Sequence, residues 1–183
     1  KLPYNIVMVA SAEEESSGKN GLNSVLKHLP KLDCAIVGEP TLMQLAIAEK
    51  GLLVLDVIVK GTPSHAAHQN EDNPIYNAIP VIEWFNSFKF EKISEQLGPV
   101  KMTVTQINAG KQHNVVPSQC DLVVDIRVND CYTNSEILAI IKKQLTAEIN
   151  PRSMHLNASS IPVAHGLVQA GIALGRTTYG SPT

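Results

Sequence analysis

The sequence is poor in aromatic residues, with one tryptophan, four tyrosines and three phenylalanines among 183 residues. An RNA-binding sheet of the ferredoxin-like kind needs exposed aromatics for base stacking and a basic surface. A 4% aromatic content and a formal charge of −2 exclude that class. Charge of either sign never runs in blocks, so there is no electrostatic footprint for nucleic acid or an anionic membrane. Cysteine is also scarce. Cys34, Cys120 and Cys131 are odd in number, widely spaced and free of any CxxC pair, which argues against a disulfide framework or a thiolate zinc site and for a reducing cytoplasm. The longest apolar runs, such as 51–59, fall far short of the roughly 20 residues a membrane helix requires. What is present, 44% hydrophobic and 17% charged residues, is the composition of an ordinary globular protein with a small-molecule partner.

Residues 5–12 (Asn-Ile-Val-Met-Val-Ala-Ser-Ala) form a continuous apolar run, the pattern of a strand buried on both faces of a parallel sheet. It ends at Glu13-Glu14-Glu15. Leu22, Val25, Leu26 and Leu29 then recur at helical spacing and Pro30 closes the stretch. A second compact run, 34–37, leads into Gly38-Glu39-Pro40. Strand, helix, strand over 5–40 predicts one right-handed crossover between parallel strands.

From Gly51 the pattern changes to alternation, with Leu53, Leu55, Val57 and Val59 on one face. Asn73-Pro74 reads as a helix start followed by a stripe of Ile75, Ala78, Ile79, Ile82 and Phe85, with Pro80 predicting a kink or a later start. Strands are expected over 101–107 and 122–128. Thr133-Asn134-Ser135-Glu136 is a capping box ahead of Ile137, Ile140, Ile141 and Leu145. A last strand is expected over 154–158 and a helix over 165–174. The predicted class is α/β, part of a mostly parallel sheet built from 1–49 and resumed at 161–183. Inserted in it is an α+β block, strand-helix-strand-strand-helix-strand, over 50–160.

Neighbouring parallel strands end on one edge, so Glu14, Glu15 and Glu39 are expected to meet at a common crevice. Three carboxylates so placed raise one another's pKa unless a cation offsets them, which suggests a divalent metal. The plainer alternative is a solvated acidic loop with Glu39 capping a turn.

The run Ala12-Glu13-Glu14-Glu15-Ser16-Ser17-Gly18 resembles the Asp-Glu-Glu motif of the co-catalytic zinc amidohydrolases and peptidases, with Glu13 in place of the usual Asp. That family includes acetylornithine deacetylase, succinyl-diaminopimelate desuccinylase, aminoacylase and carboxypeptidase G. Ile36-Val37-Gly38-Glu39-Pro40-Thr41 is similar to its next motif, and residues 50–158 resemble its inserted lid and dimerisation domain. Ala48-Glu49-Lys50-Gly51 and Gly180-Ser181-Pro182-Thr183 are most similar to acetylornithine deacetylases and succinylornithine desuccinylases. The resemblance implies a cytoplasmic enzyme of arginine biosynthesis that hydrolyses an N-acyl amino acid. Glu14 would be general base on a metal-bridging water, and Glu15 and Glu39 would be ligands of two divalent ions, zinc or cobalt. The family's remaining ligands would lie before Lys1 and after Thr183. The expectation is therefore an internal piece, without activity or a metal pair of its own, and the second reading is a dimerisation module retaining a remnant of the site.

The resemblance also singles out residues in the inserted domain. His65, in Gly61-Thr62-Pro63-Ser64-His65-Ala66-Ala67, would reach the active site of a partner subunit and contact the oxygen that becomes anionic. Asn114 and Arg127 would bind the substrate's backbone and carboxylate, for which a planar guanidinium fork is suited. For Arg127 the bland alternative is a pair with Asp125 or a cross-strand acid. Ser181 and Thr183 fall in a loop that the family places near substrate. A homodimer through the inserted domain is expected.

Overall fold

The computed structural model describes residues 4–13 and 20–182, which fall into two compact units, Lys1–Pro40 and Thr41–Thr183. Helix α1 (Leu22–Leu26) is the regular element described in the first unit. The expected strands at 5–12 and 34–37 are not formed: the described residues there are irregular, and Ile6, Met8, Ile36 and Val37 are exposed. An all-apolar strand is held by sheet neighbours on both sides and helices on both faces. Among the described residues nothing pairs with either run. Glu13 accepts hydrogen bonds from the backbone and side-chain N–H groups of Asn20, both at 3.2 Å. Glu14 and Glu15 lie outside the described residues.

The second unit is mixed α/β with several sheets. In chain order it contains β1 (Leu45–Glu49), β2 (Gly51–Lys60), β3 (Ser64–His65), α2 (Pro74–Ser87), β4 (Lys101–Ala109), β5 (Val115–Val116), β6 (Gln119–Val128), α3 (Asn134–Gln144), β7 (Glu148–Pro151), β8 (Ser159–Ser160), α4 (Gly166–Ala173) and β9 (Thr178–Ser181). The central sheet is antiparallel in the order β4-β6-β2-β7. Leu53, Leu55 and Val57 of β2 and Val124, Ile126 and Val128 of β6 are fully buried. Register places them on one face, Leu53 opposite Ile126 and Leu55 opposite Val124. Ala78 and Phe85 of α2 and Ile137 and Ile141 of α3 complete the same core. The predicted alternation thus became the buried face, because period-two apolar residues can be hidden on only one side of a pleated strand.

Both helix starts follow the expected chemistry. The Asn73 side chain accepts the Ile75 N–H at the head of α2, and Thr133 and Glu136 form a reciprocal capping box at the head of α3. Helix α2 starts at Pro74 and continues through Pro80, so the alternative of a later start is not what forms. Pro80 lies on the exposed side, where water can satisfy the Tyr76 carbonyl that loses its i+4 donor. Ile75 and Ile79 are exposed rather than in the predicted core stripe, and Tyr76 beside them is 68% exposed.

The strand expected at 154–158 is another correction: that stretch is irregular, and the fourth strand of the sheet is β7. Its sequence, Glu-Ile-Asn-Pro, offers one buried apolar residue and ends in proline, as edge strands tolerate. A second sheet, β8-β1-β9, pairs β1 with β9 in parallel and with β8 antiparallel, and sequence patterning had assigned no strand to any of these segments. Gly51 joins the two sheets where an added Cβ would lie 2.6 Å from Ala158 N and 2.7 Å from the Leu156 carbonyl. Only a residue without a side chain allows that approach.

Candidate substrate-contact site

The third sheet is a two-residue ribbon, β3 against β5, with His65 opposite Val115. The ribbon is tied down by polar contacts within 61–77. Thr62 Oγ1 donates to Asp72 at 2.8 Å and Asn77 Nδ2 donates to the same carboxylate at 2.8 Å. These bonds hold the Asp72 carboxyl below the ordinary carboxylate range, Thr62 contributing most. Asn70 Nδ2 donates to the Thr62 carbonyl and to Ser64 Oγ. Gly61 is required here, since a Cβ would lie 2.5 Å from both the Asp72 carbonyl and the Pro74 ring. Sequence reasoning missed this network, although the Asn/Asp-rich run before Pro74 was its signal.

The loop fixes the imidazole of His65. Its Nδ1 accepts the Ala67 N–H at 3.1 Å, so the neutral ring carries its proton on Nε2, the other nitrogen of an exposed side chain. A neutral Nε2–H can donate to an oxygen that gains negative charge. The His68 ring lies 5.7 Å from that of His65. Asn114 is brought beside it: the Asn114 carbonyl accepts the Ala66 N–H at 2.9 Å. His65 and Asn114 therefore share one loop cluster at the end of the central sheet marked by Lys60 and Gln119.

Arg127 is not part of that cluster. It pairs across with Leu52 and Lys101 at the other end of β6. Eight steps of extended strand separate it from Gln119, about 27 Å. Its guanidinium makes a two-pronged contact with Asp125, 2.8 and 3.2 Å, on the sheet face away from the helices. The pair is part-exposed and contributes little to stability. Glu39 is exposed in an irregular segment of the first unit. Among the described residues no group of three or more His, Cys, Asp or Glu side chains converges to hold a metal ion. Of the two expected metal ligands, Glu39 is described and Glu15 lies outside the described residues.

Among the described residues no helix is long and apolar enough to cross a membrane. The larger unit is thus built on a four-stranded antiparallel sheet with two helices packed on one face and a loop cluster at one end. The M20 peptidase dimerisation domain family profile matches residues 47–152, and the chain belongs to that family. Curated relatives include succinyl-diaminopimelate desuccinylases from Wigglesworthia glossinidia brevipalpis, 27% identical over 154 residues (75% of this chain, 41% of the relative), and Buchnera aphidicola, 28% over 152 residues (76% and 40%). The chain thus spans about 40% of the length of the relatives it matches. Among solved structures, a Staphylococcus aureus tripeptidase superposes on 93% of this chain and 48% of its own, with TM-score 0.67 at 17% identity. An M20 family metallo-carboxypeptidase from Sulfolobus solfataricus covers 76% of this chain and 53% of its own, with TM-score 0.53 at 12% identity. At such identities the likeness establishes the fold.

Proposed function

We propose that this chain is the dimer-forming and substrate-contacting part of a cytoplasmic hydrolase that cleaves the amide bond of an N-acyl amino acid. The substrate is an N-succinyl or N-acetyl diamino acid of the diaminopimelate or ornithine kind. The observation that carries this reading is the ribbon that holds an exposed His65, its Nδ1 occupied by the Ala67 N–H, beside Asn114, in a chain whose curated relatives include desuccinylases. His65 stabilises the developing oxyanion, while Asn114 and Arg127 hold the amino-acid part of the substrate. Glu14 as general base, and Glu15 and Glu39 as ligands of two divalent ions, zinc or cobalt, belong to the same proposal on the strength of the sequence motif alone.

The separation of His65 from Arg127 along β6 supports a second element of the reading. One copy does not offer both side chains to one small ligand, so His65 and Asn114 of one subunit act with Arg127 of the other. The contact surface proposed for the dimer is the free edge of β4 with the adjoining face of α2, where Ile75, Tyr76, Ile79 and Ile107 are exposed. A non-catalytic dimerisation module is the competing reading, favoured by the match of the family profile to the dimerisation domain. The deciding assay follows amine release from N-succinyl and N-acetyl diamino acids with added zinc, on this chain and on a version extended to the relatives' length. Hydrolysis by the extended protein is expected; none with any of these substrates would overturn the hydrolase reading.

A further inference from the structure

Beside the His65 ribbon lies an open cleft of about 490 Å³ between the β4–β5 loop and the head of α2. Its walls include Ala66, the neighbour of His65, and the apolar side chains of Ile75, Val115 and Pro117. Lys111 and His113 stand on the loop that closes it, and Lys111 is the one formally charged residue among the lining residues. Gly110, at φ +72, makes the turn between the end of β4 and Lys111. The ion pairs among the described residues are Lys60–Glu148, Arg127–Asp125 and Arg152–Asp56, and Lys111 takes part in none of them. Asp121, the acid lining the adjoining cleft that Lys111 also borders, accepts a hydrogen bond from Gln119 Nε2 at 2.7 Å.

We propose that Lys111 is a specificity-determining residue that receives the distal carboxylate of a dicarboxylic N-acyl group, with the methylenes of the acyl chain against Ile75 and Val115. This rests on the reading of the chain as part of an N-acyl amino acid hydrolase. A cation, Lys111, then lines a cleft whose apolar wall includes Val115, the strand partner of His65, the proposed donor to the scissile carbonyl oxygen. That order matches a succinyl group, whose amide carbonyl and terminal carboxylate are joined by two methylenes. An acetyl group has no charge to offer Lys111, so the lysine acts on one substrate class and not on the other.

The test uses the extended protein with zinc and compares kcat/KM for the N-succinyl and N-acetyl derivatives of one diamino acid. Lys111→Met is expected to lower the value for the succinyl substrate about fivefold, mainly through KM, as befits an exposed charge contact. The acetyl substrate should change less than about twofold, and Lys111→Arg should restore most of the loss. Equal losses on both substrates, or no loss on either, would overturn the assignment while leaving the hydrolase reading intact. Should the protein hydrolyse neither substrate, that reading fails, and titration of this chain with succinate and acetate, followed by amide shifts at 109–113, decides the binding claim separately. Shifts with succinate that vanish in Lys111→Met support it; their absence in the wild-type chain refutes it.

Discussion

Asn129 is a fully buried polar side chain that makes three hydrogen bonds. Its Nδ2 donates to the carbonyls of Lys92 at 3.1 Å and Gly98 at 2.8 Å, and its Oδ1 accepts the Cys131 N–H at 3.2 Å. It thereby fastens the 92–98 turn to the end of β6, and Gly180 of β9 passes so close to that turn that a Cβ would lie 2.4 Å from the Gln96 carbonyl. Asn129→Ala removes all three bonds. The Gly98 carbonyl keeps the Ser94 N–H, but the Lys92 carbonyl and the Cys131 N–H lose the partner Asn129 supplied. At about 1 kcal/mol for each bond, with a further ~1 kcal/mol for desolvated groups left unmatched, the loss is about 3–4 kcal/mol. With a urea slope of about 2 kcal/mol/M this shifts the unfolding midpoint down by about 1.5–2 M. The control is Asn150→Ala, which removes an exposed bond to Glu148 and should cost less than about 0.5 kcal/mol. A loss below about 1 kcal/mol for Asn129→Ala would refute the view that this side chain anchors the turn.

Gly51→Ala places a methyl against the backbone of 156–158, where no flexible side chain can give way. A destabilisation of about 2–3 kcal/mol is expected, seen as a Tm lower by about 5–10 °C, and an unchanged Tm would contradict the close approach. Several carboxyls are held below their ordinary range in the fold, Asp56 chiefly by its hydrogen bonds from Arg152 and Asp130 chiefly by Ser94. A depressed folded pKa contributes stability that is present above the unfolded value, near 4, and is lost as pH falls through the folded value. Tm should therefore be flat from neutral pH to about pH 5 and fall below about pH 4, with a shallower acid limb in Arg152→Met; a Tm that rises on acidification would refute this.

The central sheet and its two helices were legible because their signals are local. Alternation from Gly51 onward, the strand run at 122–128, the Asn73 cap and the Thr133 capping box each act within a few residues, and each became the element expected. β7 was not legible, since a four-residue edge strand with one buried side chain takes its conformation from the β2 backbone beside it. β1 and β9 depend on pairing across some 130 residues of sequence, which no local pattern encodes. The outward face of α2 was misread because Ile75 and Ile79 have the spacing of a core stripe, and spacing does not say whether the partner lies within the chain or in another copy. In the candidate site, sequence resemblance singled out His65, Asn114 and Arg127, but not that the first two share a loop cluster while the third lies at the far end of the sheet.

That separation leads to the most direct test of the two-copy site. His65→Ala and Arg127→Ala are made in the extended protein, each abolishing hydrolysis, and the two variants are unfolded, mixed in equal amounts and refolded. If each site takes His65 from one subunit and Arg127 from the other, half the dimers are mixed, each with one intact site, and about one quarter of wild-type activity returns. No recovery in a mixture shown to contain mixed dimers would contradict the account.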